Sequence, residues 1–255
     1  MSNRKFTLNN FLQSSDFLSD KQIIKNSSLV FSGENIEIYS ITSSGDFIKF
    51  SELCEISYLH LLELFDFQKN DIIKFSKIKI YISNKIQFSH VLGGYNHFKN
   101  PQPIIFLNER SFFGAIKEVN ATYIHEMVHL FTWNYHSHTL REGLADYCAL
   151  KLKPNTAIGP VPATQLVEID QFREILKYLG TTKKPPRRLK IDSDFRRNYY
   201  LASRCFVKYI IDLIGIQKFM TIYDSAKPEI LIENYLNHDL LKLQKSALIN
   251  SIYHH

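Results

Sequence analysis

Residues 116–147 read IKEVNATYIHEMVHLFTWNYHSHTLREGLADY, and the folding of this stretch constrains everything around it. From Ile116 to Trp133 apolar residues recur with a helical period and neither Pro nor Gly interrupts them, which predicts one continuous helix. His125 and His129 stand four residues apart on it, one turn apart on a single face. Two imidazoles in that relation can grip one Zn²⁺, and Glu126, about 100° round the helix, is placed to take a proton from water as general base. Chance supplies the pattern H-E-x-x-H only about 0.02 times in a chain with this many His and Glu residues.

Two imidazoles do not complete a catalytic zinc site, which takes three protein ligands and keeps one position open. The metzincin spacing would put Gly at 132 and His at 135, where this chain has Thr132 and Tyr135. His136 and His138 fall in a polar helix exit and read as solvated or supporting histidines. Glu142, 13 residues after His129, is expected to open a second helix and to serve as the third ligand. Standing alone it would read as a first-turn Glu favoured by the helix dipole. Asp146 follows by four and shares its face, so it is expected to accept the free N–H of a ligand imidazole. Gly143 reads as the residue that lets the zinc helix approach closely.

Outward from this segment the pattern changes. Residues 1–28 are rich in Ser, Asn and Asp and read as an N-terminal arm. Leu29–Phe31 and Ile36–Ile41 read as strands, about 49–66 as a helix, Lys77–Ser83 as a half-buried strand, and Ile104–Leu107 as another. Gly93 and Gly94 mark a turn, and the Pro-containing stretch from Lys153 to Pro162 a surface connection. Helices are expected at about 163–179, 195–213, 216–225 and 229–253. The expected fold class is α+β: an α/β lobe over 29–135 carrying the His-Glu-x-x-His helix, and a helical lobe over 136–255 carrying the third ligand, with the site in the cleft between them.

Composition narrows the classes further. With 45% hydrophobic and 22% charged residues the chain is globular rather than disordered. Three scattered cysteines, Cys54, Cys148 and Cys205, suggest buried thiols in a reducing compartment and no disulfide framework. There is no secretory leader pattern and no 18-residue apolar run, so the expected address is the cytoplasm, with no membrane span; secretion without a leader, or translocation into another cell, would leave the same sequence. Of the formal net charge of +6, most lies in residues 181–198, where seven cationic residues face two acidic ones. Such a loop reads as a solvated segment or as a steering device for an acidic protein or peptide. Nucleic acid is a weaker reading, because the basic stretch lacks interleaved aromatics and any known binding motif.

The pair His-Glu-Met-Val-His and Glu-Gly-Leu-Ala-Asp-Tyr resembles the gluzincin metallopeptidases, the broad group that includes thermolysin and the M1 aminopeptidases, and especially its compact peptidase MA-like members. The resemblance implies a two-lobed thermolysin-like fold and one Zn²⁺ per chain held by His125, His129 and Glu142. It further implies Glu126 as the base and Asp146 as support. Residues 200–209, followed by Gly215, resemble the group's later Tyr-containing helix, and Gly94 with Ile104–Leu107 resemble the edge strand that lines its substrate cleft. Tyr200 is then the expected oxyanion donor, with Tyr199 as competitor; both rings also read as packing in a chain with 14 tyrosines. The Gly-x-Met-x-Asn signature of the aminopeptidases is absent, which favours endopeptidase action on a protein or peptide. Two further readings stay open here: a zinc-binding effector or interaction module without hydrolysis, and a basic nucleic-acid-binding protein.

Overall fold

Alternating Ile78, Ile80 and Ile82 place three branched side chains on one face of a strand, and this strand is the middle of the sheet. The computed structural model describes residues 17–41, 44–66, 77–92, 103–158 and 173–253. Strands β1 (Ser28–Ser32), β2 (Ile36–Ser40), β3 (Ile78–Ser83), β4 (His90–Leu92) and β5 (Ile104–Asn108) form a mixed sheet in the order β1-β2-β3-β5-β4. The inner strands β2, β3 and β5 run parallel, while β1 and β4 are antiparallel edges. Ile104–Leu107 was expected at the edge; it lies inside the sheet, and His90–Leu92 takes the edge position.

Strand β3 was expected to be half buried, yet both of its faces are covered. One isoleucine face packs under α2 (Phe47–Leu64) and the helices beyond it. On the other face Tyr39, Tyr81, Phe106 and His90 stack as an aromatic ladder across four strands. Ile23 of α1 (Asp20–Asn26) joins that cluster and shields it.

The helix expected over 116–133 is confined to Thr122–Phe131, with 117–121 non-helical. Helix α3 (Glu109–Ile116) starts at Asn108, whose side chain accepts from Ser111 N, and stops before Glu118, which adopts a left-handed φ of 58°. The chain re-enters helix as α4 (Thr122–Phe131), with Asn120 Oδ1 accepting from Thr122 N at 2.9 Å. Periodicity does not register this turn, which is closed by backbone bonds from Glu118 N to Ala115 O and from Val119 N to Gly114 O. Every residue of α4 is buried, and the hydroxyl of Tyr223 donates to Thr132 O at its C-terminal end.

The next helix, α5 (His138–Leu152), begins one turn earlier than expected, capped by Ser137. Glu142 therefore sits in its second turn, so the helix dipole does not account for it. Short α6 (Arg173–Leu176) and α7 (Arg188–Ile191) precede the long α8 (Ser193–Ile214), capped by Asp192 and ended by Gly215 at φ 78°. The helix expected over 229–253 is two: α9 (Ile216–Tyr223) is followed by α10 (Pro228–Leu236) and α11 (Leu240–Tyr253), separated by Asn237 in a left-handed conformation. Residues 163–172 of the helix expected over 163–179 lie outside the described residues, as do Gly93, Gly94 and the end of the Pro-containing segment.

Helices α5 and α8 pack more extensively than any other pair of elements. Their closest approach is at Gly143, where a β-carbon would collide with the carbonyl of Ser203 and come within 2.6 Å of Val207 Cγ2. The close approach expected of Gly143 is thus made to α8 and not to the helix bearing the two histidines. Gly143→Ala is expected to destabilise the protein by about 1–3 kcal/mol, since backbone cannot yield as a side chain would. Urea unfolding of the variant at an unchanged slope tests this, and an unshifted midpoint would show that the helices part freely. The core runs unbroken from Ile36 and Ile80 of the sheet through α4 and α5 to Phe206 and Leu243. Among the described residues no helix is long and apolar enough to cross a membrane.

Candidate metal centre

Because His125 and His129 are one turn apart on a wholly buried helix, their imidazoles cannot escape to solvent and converge on α5. Nε2 of His125 and Nε2 of His129 lie 3.0 Å apart, and Oε2 of Glu142 is 3.4 Å from each. Ligand atoms about 2.0–2.1 Å from a tetrahedral ion stand roughly 3.3–3.4 Å apart, so this triangle has the size of one face of such a site. Among the described residues no other three His, Cys, Asp or Glu side chains converge in this way. Two imidazoles and one carboxylate suit Zn²⁺ and other first-row divalent ions.

The surroundings orient each donor. Nδ1–H of His125 donates to Asp146 Oδ1 at 2.8 Å, which turns its Nε2 into the triangle, as the i, i+4 relation of Glu142 and Asp146 leads one to expect. On the far oxygen of Glu142, Arg141 Nη1 donates to Oε1 at 3.1 Å and His138 Nε2 stands 3.7 Å from the same atom. Oε1 is thereby occupied, and Oε2 is left for an ion. Arg141 itself lies over the ring of Tyr135, 4.7 Å from its centroid. His138 therefore stands beside the carboxylate of Glu142, its Nδ1 within 3.3 Å of the Tyr199 hydroxyl. Its neighbour His136 touches none of these groups.

Charge inside the triangle is divided unequally. Burial opposes protonation of His125, but its hydrogen bonds to Asp146 and Glu142 outweigh burial and lift it to about 10. Burial and the nearby Arg141 press His129 down to about 3. Burial disfavours the charge on Glu142 as well, yet His129, His125 and Arg141 together hold it well below the usual carboxylate range. These opposite directions favour the proton on His125 over His129, whose Nε2 atoms face each other at 3.0 Å. Among the described residues the buried Nδ1 of His129 has no hydrogen-bond partner.

Since its carboxylate partners favour a protonated His125, metal uptake is expected to displace that proton. Near neutral pH, binding of Zn²⁺ is expected to release about one proton, and apparent affinity should rise about tenfold per pH unit between roughly 7 and 9. Calorimetric titration in buffers of differing ionisation enthalpy measures this directly. Uptake with no proton release would mean that His125 is already neutral.

Beside the triangle opens a cavity of about 730 Å³ lined by Glu126, His125, Asp146 and Tyr200. Burial pushes Glu126 up to about 7. The negative charge of Glu142, followed by burial, raises Tyr200 well above the ordinary phenol value. Tyr199 is fully buried and turned toward His138, so of the two tyrosines only Tyr200 reaches the cavity.

The basic segment reaches it too, through Lys190, Arg196 and Arg197. Arg188, by contrast, is held by Glu174 at 2.9 Å and Asp192 at 2.7 Å, and Lys183, Lys184 and Arg187 do not line the cavity. Sequence reasoning overlooked Arg141, whose position before a buried carboxylate was the available signal, and Arg110, for which there was none. A scan against protein-family models matches none, and a search of the curated proteins finds no match.

Proposed function

We propose that the chain is a zinc-dependent metallopeptidase of gluzincin type, an endopeptidase acting on a protein or peptide. The observation that carries the proposal is the convergence of His125 Nε2, His129 Nε2 and Glu142 Oε2 at 3.0–3.4 Å beside a cavity that Glu126 lines. The thermolysin-like two-lobed arrangement belongs to the same proposal. Its support is that α4 beside the sheet and the helical pair α5 and α8 each contribute residues to one cavity.

Zinc held by His125, His129 and Glu142 would supply Lewis acidity, lowering the pKa of water toward 7 and polarising a peptide carbonyl. The remaining work falls to side chains of this chain. Glu126 takes a proton from the attacking water and delivers it to the leaving amine, a task suited to a carboxyl titrating near neutrality. Asp146 keeps Nδ1 of His125 protonated and its ring fixed. Tyr200 offers a hydroxyl donor to the carbonyl oxygen as negative charge develops there. β4 is an edge strand, and Gln87, Phe88 and Ser89 just before it line the cavity, so an extended peptide can add beside it.

The test is cleavage of a protein or peptide mixture that stops on chelation and returns with added Zn²⁺, read by mass spectrometry of new termini. A zinc-replete protein that yields no new termini would leave the binding-module reading in its place. Tyr200→Phe is expected to lower kcat about 10²-fold with little change in KM, while Tyr199→Phe should act through stability alone. Equal kinetic losses in both variants would remove Tyr200 from the mechanism.

A further inference from the structure

We infer that Arg110, Lys190 and Arg197, which line the cavity and are not part of the metal triangle, form a subsite for an acidic side chain, so that the substrate class is an acidic peptide. This rests on the peptidase reading for its chemistry but on separate residues for its evidence.

The charged groups lining the cavity are four cations, Arg110, Lys190, Arg196 and Arg197, against two carboxylates. Of the carboxylates, Asp146 is bound to His125 and Glu126 stands next to the ligand histidines on α4. Among the described residues, neither carboxylate that lines the cavity is paired with these cations. Arg196 is the scaffold of this group: its Nε donates to Leu189 O at 2.8 Å and its Nη2 to Lys190 O at 2.7 Å. It also lies over the ring of Phe88, 5.6 Å from the centroid. It thus ties the turn bearing Lys190 to the segment that leads into the edge strand.

Among the described residues Arg197 pairs with the exposed Asp194 at 3.3 Å, and its buried Nε–H has no acceptor. The Arg197 side chain is 36% exposed and lines the cavity, so charge on the rest of its guanidinium is open to an anionic ligand. Arg110 adds an exposed guanidinium from the first turn of α3. The neutral lining points the same way. Asn108 Oδ1 is spent on Ser111 N at 2.8 Å and Asn120 Oδ1 on Thr122 N at 2.9 Å, so both amides retain NH₂ donors in the cavity lining. A volume near 730 Å³ is within the range of sites that enclose a peptide segment.

The experiment uses the chain carrying Glu126→Gln, so that bound peptide persists, immobilised and exposed to a pool of randomised hexapeptides. The bound fraction is sequenced by mass spectrometry. Asp and Glu are expected to be enriched about tenfold over Asn and Gln at low salt. The double change Arg110→Gln with Lys190→Gln, both exposed and so tolerated by the fold, should bring this below about threefold. Arg110→Glu with Lys190→Glu should favour basic peptides instead. Neutralising Lys183, Lys184 and Arg187, which do not line the cavity, should leave the enrichment intact, which separates a subsite from general attraction to a chain of net charge +6.

Bound peptide no more acidic than the pool, or enrichment that survives the double change, overturns the inference. So does a single-stranded oligonucleotide that binds through Arg110 and Lys190 while acidic peptides do not. Cleavage of the same pool by the zinc-loaded wild-type chain is scored separately. Enrichment without cleavage upholds the subsite and defeats the peptidase reading, and cleavage without enrichment does the reverse.

Discussion

Glu126→Gln is expected to retain one metal ion per chain and to lose turnover by about 10²–10⁴-fold, the range that a positioned general base supplies. Glu126 takes no part in the triangle of His125, His129 and Glu142, so the isosteric amide leaves the donors where they are. The amide cannot carry a proton from water to a leaving amine. A second signature separates a lost base from a damaged fold. Burial raises the Glu126 carboxyl from 4.5 to about 7, so in the metal-free protein its contribution to stability is present at low pH and fades as pH rises from about 4.5 through about 7. The Gln variant lacks this loss, and its melting temperature relative to wild type should increase between pH 5 and pH 8. Metal analysis, peptide cleavage and the two melting curves together test the assignment. A Gln variant that holds zinc and cleaves at the wild-type rate would end it.

Removing Glu142 is expected to do two things at once. Glu142→Ala deletes one of three donors, and since even an outer partner of a metal ligand is worth about 10–100-fold in affinity, the loss should exceed about 100-fold. It also leaves Arg141, whose side chain is 19% exposed, without the carboxylate that holds it at 3.1 Å. Breaking a buried ion pair from one side costs about 3–5 kcal/mol. Glu142→Gln preserves volume and an acceptor for Arg141, so it should destabilise less than Ala while losing most of the metal affinity. Equilibrium dialysis against a zinc indicator and urea unfolding read the two effects independently. Wild-type affinity in the Ala variant would transfer the third donor to His138, the next imidazole within reach of that position.

Much of the site was legible before any tertiary structure, for reasons that differ from residue to residue. His125 and His129 meet because four residues make one turn, and that relation holds wherever the helix is placed. Asp146 was readable by the same rule applied to Glu142, four residues earlier. The meeting of Glu142 with the two histidines is of another kind. It was inferred from the pattern of residues, whereas the 3.4 Å distances arise from the packing of α4 against α5. Tyr200 is preferred to Tyr199 in sequence by resemblance alone, because neighbours on a helix differ by about 100° in direction and only the placement of α8 says which faces the cavity.

Errors fell where local pattern and global packing part company. Glu118 turns the chain within an apolar stretch, so the helix that periodicity extends over 116–133 is confined to Thr122–Phe131. Gly143 was read as making room on the metal side, but its open face is turned to Ser203 on α8. Seven cations between 181 and 198 looked alike as formal charges. In the fold Arg188 is bound to Glu174 and Asp192, Arg196 holds carbonyls, and Lys190 and Arg197 remain for the cavity.

Sequence by itself determined the helical pairing of the two imidazoles, the carboxylates one turn apart on the following helix, and the mixed strand-and-helix composition. All of these follow from rise and rotation per residue along one element. Tertiary structure alone decided that Oε2 and not Oε1 of Glu142 faces the histidines, that Arg141 and His138 hold the other oxygen, that β4 is the edge strand, and which cations line the cavity. Those depend on close packing between elements distant in the chain, where a shift of one helix by a single side chain's width changes which groups can touch.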